Sequence, residues 1–282
     1  MVAINLQKEE NRMTNIVFIG AGSMAEAIIK GLLEEEKVSP SSICVMNKSD
    51  EKQLHYLNAK YKIEIMCTKK LALQKADLVF LAMKPKDAIQ ACKEIASFLN
   101  KQATVVSVIA GVSIKTIESY LGDRPIARVM PNTSASVGLS ASALCWNEKI
   151  NNVAKKEIIN LLESIGTVKV VQEVDMHVIT ALSGSGPAYL YYFAEQFEAA
   201  AVQHGLSQED ARHLFIQTMK GAAYMLMKGE DEPAELRRKV TSPGGTTEAG
   251  IEQLMFHKVD EAIFACISAA QQKSRTLGEQ FE

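Results

Sequence analysis

From Asn15 to about Glu173 the chain alternates short β-branched runs with stretches whose apolar residues recur at helical spacing. The pattern predicts strands at 16–20 (IVFIG), 43–47 (ICVMN), 64–68 (EIMCT), 77–84 (DLVFLAMK), 104–111 (TVVSVIAG), 126–131 (IARVMP) and 167–173 (TVKVVQE). Helices fall between most of them, among them Met24 to Glu35 and Asp87 to Leu99. Strands that are apolar along their whole length bury both faces, which implies a mostly parallel sheet between layers of helix. After Val174 the β-branched runs stop and Ala, Met, Leu, Glu and Gln take over, so this half reads as all helix. Its segments YLYYFAEQFEAAAV, FIQTMKGAAYMLM and AIFACISAAQQ carry apolar faces wider than one stripe. Roughly a hundred residues of helix cannot bury all of that alone, which favours an intertwined homodimer as the minimal unit, with a larger homo-oligomer left open.

The first predicted strand runs into GAGSMAEAIIKG. Gly20, Gly22 and Ala25 form G-x-G-x-x-A, in which the first glycine permits a tight turn, the second lets a phosphate approach the backbone, and the small third residue allows close packing of helix on strand. The helix N-terminus then faces a pyrophosphate. Position decides in favour of a dinucleotide over a plain connection: the motif follows a strand, opens a helix and begins a series of βα units. The fold class is therefore α/β. An N-terminal Rossmann-like, mostly parallel sheet domain is expected over 14–174, a C-terminal all-α dimerisation domain over 175–282, and a disordered or ancillary leader over 1–13.

The tip of the second strand separates cofactors. An acidic residue there would bind a ribose hydroxyl, whereas this chain places Asn47, Lys48 and Ser49 at that point. Neutral donors and a cation suit a 2′-phosphate, so NADP(H) is preferred and NAD(H) remains open; the alternative is that Ser49 caps a helix starting at Asp50 and Lys48 is merely solvated. The fourth predicted strand ends in LAMKPKD, putting Lys84 at the carboxyl edge where open α/β sheets bind ligands. VIAG (108–111) and MPNT (130–133) end the next strands in small residues and an amide, where a flat nicotinamide could lie against backbone.

Two glycine islands interrupt the helical half. SGSGPAY (183–189) reads equally well as a helix connection, with Ser183 or Ser185 capping and Pro187 in a first turn. In TSPGGTTEAG (241–250), Gly244, Gly245, Thr246 and Thr247 lead into a helix, so free N–H groups and two hydroxyls converge as a cradle for a carboxylate.

Bulk properties narrow the partners. A length of 282 residues suits two domains. A net charge of −2 without a basic stripe supplies no field for nucleic acid or an anionic membrane, so a small molecule is expected. No apolar run reaches the roughly 18 residues of a membrane span. The first residues lack the order of a signal peptide, which points to the cytoplasm. The 5 cysteines, Cys44, Cys67, Cys92, Cys145 and Cys266, are odd in number and mostly inside apolar runs, as expected for buried thiols rather than a disulfide framework. The 5 histidines form no HExxH and have no Cys partner at ligand spacing, so no metal is expected.

GAGSMA, ADLVFLAMKPKD, SVIAGVSI, RVMPNT, ALSGSGPAY and VTSPGGTTEAG, in this order and spacing, closely resemble the pyrroline-5-carboxylate reductases of proline biosynthesis. The resemblance implies NAD(P)H-dependent reduction of the C=N bond of Δ1-pyrroline-5-carboxylate to L-proline. It implies that Ser242, Gly245, Thr246 and Thr247 bind the substrate carboxylate, with the Thr247 hydroxyl facing the ring nitrogen, and that Ser185 and Gly186 line the same pocket near the dimer seam. Lys84, Pro85, Ala110 and Asn132 would border the nicotinamide, and Gly20, Gly22, Ser23, Met24, Ala25 and Ala82, with Asn47, Lys48 and Ser49, would complete the cofactor set. Thr247 and Lys84 are the candidate catalytic residues. Lys86 and Ser134 depart from what relatives often carry. Two rivals keep the architecture. One is a carbonyl reductase like the β-hydroxyacid dehydrogenases, which needs a Lys that this chain lacks between Lys169 and Lys220. The other is a catalytically idle NADP-binding paralogue.

Overall fold

The structure is a computed structural model and describes residues 14–65, 68–229 and 231–281; the leader expected over 1–13 lies outside them. The described elements divide into two compact units, one running to Ser185 and taking in the chain again from Ala270, the other comprising Gly186–Ala269.

The first unit is built on a seven-stranded sheet of order β2-β1-β3-β4-β5-β6-β7. Its strands are β1 (Ile16–Ile19), β2 (Ile43–Met46), β3 (Leu78–Leu81), β4 (Thr104–Ser107), β5 (Ile126–Met130), β6 (Ser140–Trp146) and β7 (Gly166–Val170). Neighbours are parallel except β5 and β6. The helices are α1 (Ser23–Glu34), α2 (Glu51–Tyr61), α3 (Lys69–Lys75), α4 (Ala88–Ile95), α5 (Ile114–Leu121), α6 (Asn152–Leu162) and α7 (Met176–Ile179). Side chains alternate across a strand, and β1 shows the result. Ile16 and Phe18 enter one core with Ile28, Ile29 and Leu162, while Val17 and Ile19 enter the other with Leu73, Ile95 and Ile117. Phe18 and Phe80, partners in the β1–β3 register, stack at 4.7 Å.

Two expectations need correction. EIMCT is not a strand in its described part: Glu64 makes an isolated parallel bridge to Cys44, and residues 66–67 lie outside the described chain. The strand Ser140–Trp146 has no counterpart among those the pattern predicts, because SASALCW hides its inward positions behind serines. Ser140 and Ser142 are buried and their hydroxyls hydrogen-bond each other at 3.0 Å, which removes the cost of burying them. The cysteines also differ in part. Cys92 and Cys145 are buried thiols, pushed up to about 11 and about 12 by burial, but Cys266 is exposed and Cys44 is disulfide-bonded.

The second unit holds α8 (Gly186–Gln203), α9 (Gln208–Lys228), α10 (Pro233–Lys239), α11 (Thr246–Phe256) and the first half of α12 (Val259–Glu279). α8 and α9 pack through stacked Phe197 and Phe215 and an ion pair between Glu198 and Arg212. Among the described residues of this unit only Ala211 is buried, while Leu190, Tyr192, Met227, Phe256 and Phe264 stand exposed. No described helix is long and apolar enough to cross a membrane.

Candidate active site

The turn after β1 is fixed from both sides. Gly20 has φ +109, donates its N–H to the Met46 carbonyl at 2.8 Å, and has no room for a side chain: a Cβ would meet the Ala82 carbonyl oxygen at 2.5 Å. It therefore holds the ends of β1, β2 and β3 at one level. Gly22, the N-cap of α1, differs. A Cβ there would meet nothing within 4 Å, and no side chain caps the helix. The first N–H groups of α1 are left for an outside acceptor, and the helix dipole favours an anion.

These ends border a cavity of about 820 Å³. Of the residues expected to hold a cofactor, Gly20, Gly22, Asn47, Lys48, Ser49, Ala82 and Lys84 line it. Ser23, Met24 and Ala25 form the first turn of α1 but are not among the lining residues; Ala25 is fully buried, as its packing part in the motif requires. Pro85 opens a short 3₁₀ turn over Pro85–Asp87 whose N-cap is Lys84. At the β2 tip, Asn47 Oδ1 accepts from the Lys48 N–H at 2.8 Å. The α2 cap is Asp50, accepting from the Gln53 N–H at 2.9 Å, rather than Ser49. The nearest carboxylate is thus committed to capping, and the tip offers an amide, a hydroxyl and a cation.

Lys69, Gln90 and Glu94 also line the cavity, outside the expected set. Lys69 is ion-paired with Glu94 at 2.9 Å, and Gln90 donates to the other oxygen of Glu94 at 3.0 Å. Hydrogen bonds from Lys69 and Gln90 hold the Glu94 carboxyl below its ordinary range. The i,i+4 spacing of Gln90 and Glu94 on α4 was the available signal; Lys69, which opens α3 just past the EIMCT segment, gave none.

Ala110 lies in the loop between β4 and α5, half-buried. Asn132 is buried, and both ends of its amide are bonded: Oδ1 accepts from the Ser134 N–H and Nδ2 donates to the Ser183 carbonyl, both at 3.0 Å. It therefore ties the end of β5 to the first glycine island. That island opens in a π-helical turn over Thr180–Gly184, closed by the Ser185 N–H on the Thr180 carbonyl at 2.8 Å, and continues from Gly186 as the start of α8. Ser183 donates back to Ile179 within the turn rather than capping α8, and Pro187 stands in the first turn of α8.

In the second unit, Ser242, Gly245, Thr246 and Thr247 come together at the start of α11. The Ser242 carbonyl accepts from the Gly245 N–H at 3.0 Å, Gly244 has φ +70, and Gly245 caps α11 without a side-chain bond. Glu248 reaches back to accept from the Gly244 N–H at 2.7 Å. One local carboxylate thus satisfies the outermost donor, and the N–H groups of Thr246 and Thr247 remain at an uncapped helix start. Thr247 is exposed.

Both starts fit anionic ligands on their own geometry: at Gly22 open space above uncapped N–H groups beside lysines, and at Gly245 two free N–H groups with threonine hydroxyls. Residues 15–111 match the family described as NADP oxidoreductase coenzyme F420-dependent, and residues 173–277 match pyrroline-5-carboxylate reductase dimerisation. Pyrroline-5-carboxylate reductase 2 of Bacillus subtilis is 40% identical over 273 residues, covering 95% of this chain and 97% of its own. A pyrroline-5-carboxylate reductase structure from Coxiella burnetii is similar with a TM-score of 0.87 at 36% identity, over 94% of this chain and 99% of that one. The Plasmodium falciparum pyrroline carboxylate reductase, crystallised with NADP bound, gives a TM-score of 0.85 at 28% identity over 95% and 100% of the two chains.

Proposed function

The chain belongs to the pyrroline-5-carboxylate reductase family, and from that premise we propose that it reduces the C=N bond of Δ1-pyrroline-5-carboxylate to L-proline with NADPH, NADH being the lesser donor. The observation that carries the reading is the pair of helix starts, at Gly22 and Gly245, that the protein leaves without side-chain caps. A dinucleotide diphosphate suits the first, and a small carboxylate suits the second.

When bound, the reduced nicotinamide supplies a hydride to the imine carbon. The chain's own part is to bind, orient and move one proton. The N–H groups of Thr246 and Thr247, with the Ser242 hydroxyl, hold the substrate carboxylate. The Thr247 hydroxyl faces the ring nitrogen, so that the imine is protonated when it accepts the hydride. Asn47, Lys48 and Ser49 receive the 2′-phosphate, and Lys84, Pro85, Ala110 and Asn132 border the nicotinamide. Ser185 and Gly186 line the substrate pocket. Because an iminium is already a strong hydride acceptor, positioning rather than a strong acid carries the rate, which suits a substrate segment without a His–Asp pair. The domains divide near 174, and the exposed apolar faces of the helical half are covered in a homodimer.

The test is a mixture of purified protein, NADPH and pyrroline-5-carboxylate. The nicotinamide absorbance falls in step with proline formed, and Thr247→Ala lowers kcat by roughly 10²- to 10⁴-fold, the size of a lost proton transfer. Unchanged turnover in that variant removes Thr247 from the chemistry, and a flat absorbance with NADPH still bound identifies an idle binder.

A further inference from the structure

The loop over 108–113, between β4 and α5, is gripped by residues from much later in the chain. Gly111 has φ +80, and its backbone meets Gly278 of α12 without clearance: a Cβ on Gly278 would lie 2.8 Å from the Gly111 carbonyl oxygen, and one on Gly111 3.4 Å from the Gly278 nitrogen. At the loop's other end Ile114, the first residue of α5, donates its N–H to Glu173 Oε1 at 2.8 Å. The same oxygen accepts from Arg128 Nη1 at 3.1 Å. Arg128 is 3% exposed, so releasing Glu173 would leave a buried cation without its partner.

The terminal helix is itself pinned. Ser274, buried, places its hydroxyl 3.0 Å from His177 Nδ1, and the His177 ring lies 3.5 Å from where a Gly278 side chain would begin. Phe281, one turn on, packs against the core cluster that contains Val112 and Ile114. Surface connections are ordinarily loose. This one is held at Gly111 and again at Ile114, and Ala110 stands immediately before the first of these points.

We propose that Gly278, with Ser274 and Glu173 in support, positions the 108–113 loop, so that the terminal helix sets how closely the Ala110 backbone meets the nicotinamide. Gly278 touches neither ligand in this scheme and is a positioning residue. The inference rests on the proposed place of Ala110 at the cofactor edge. A side chain at 278 must push the Gly111 carbonyl by about half an ångström, and a misfit worth about one factor of ten in affinity lies at the low end of what overpacking costs.

The experiment is isothermal titration of the full-length protein with NADPH, together with KM for pyrroline-5-carboxylate and the thermal midpoint. Gly278→Ala is expected to raise the NADPH Kd about tenfold while the substrate KM stays near that of the parent and the thermal midpoint falls. Thr276→Ala, on the exposed side of the same helix, should leave all three unchanged, and Ser274→Ala should raise the NADPH Kd by less than Gly278→Ala. A folded Gly278→Ala protein that binds NADPH like the parent overturns the proposal, and so does one in which both affinities fall together. Should Gly278→Ala fail to fold, Ser274→Ala and Glu173→Gln decide: a higher NADPH Kd at constant substrate KM supports positioning, and an unchanged Kd refutes it. Ala110→Val separates the two layers. If it leaves NADPH affinity unchanged, the placement of Ala110 is wrong; if it weakens binding and the Gly278 and Ser274 variants do not, positioning by the terminal helix fails alone.

Discussion

Gly20 and Gly22 stand two residues apart and answer to different partners. A side chain at Gly20 would strike the Ala82 carbonyl at 2.5 Å, so the protein itself requires that glycine; a side chain at Gly22 would meet nothing, which leaves the room that the proposed dinucleotide needs. Gly20→Ala is therefore expected to destabilise the fold by roughly 3 kcal/mol or more, from strain and overpacking together. Gly22→Ala should melt like the parent protein and bind NADPH more weakly, which paired melting curves and titrations will show. His177 gives a second prediction at this scale. Burial, then the nearby charges of Arg128 and Arg275, push its pKa below the ordinary histidine value, against weaker opposing pulls from Glu173 and Glu279. The unfolded chain then takes up the proton at higher pH than the folded one, so the contribution is intact above the ordinary histidine range and is lost as pH falls through it. Melting midpoints followed from about pH 7 to about pH 5 should fall less steeply for His177→Asn than for the parent. Equal slopes would show that His177 does not contribute.

At the scale of elements, β6 and β7 depend on one backbone position. Gly166 has φ +141, and a Cβ on it would fall 2.2 Å from the Ser140 carbonyl oxygen and 2.3 Å from its nitrogen. Gly166→Ala is expected to cost roughly 3 kcal/mol and to lower the Tm by roughly 6–12 °C; a smaller change would mean that the strand pair can part without loss. The same strands show where sequence stops being legible. IVFI, LVFL and TVVS announce themselves because β-branched and aromatic residues fill both faces, and all three are strands in the places the pattern gave, shorter at their C-terminal ends. SASALCW does not, because its buried serines satisfy each other by a hydrogen bond that only the folded chain reveals. The glycine turn was readable because its spacing has a mechanical reason. The Lys69–Glu94 pair was not, since it joins α3 to α4 across a distance of sequence that no periodicity spans.

For the whole molecule, the sheet unit has two cores of its own, whereas the unit Gly186–Ala269 has one buried residue among those described and wide apolar faces. Such a unit cannot repay the entropy of ordering its helices by itself, and the proposed homodimer supplies what covers them. That shortage was legible before any coordinates, in the three over-wide apolar segments. The family was legible in the two glycine islands and the first turn, whose order along the chain matters more than any one of them. The measurement that reaches the central claim most directly uses NADPH carrying deuterium at both C4 positions of the nicotinamide, with pyrroline-5-carboxylate and the purified protein. Proline is expected with one deuterium on the ring carbon that had been doubly bonded to nitrogen, formed in step with the cofactor consumed. Proline without deuterium there, or no proline while NADPH is bound, would contradict that claim.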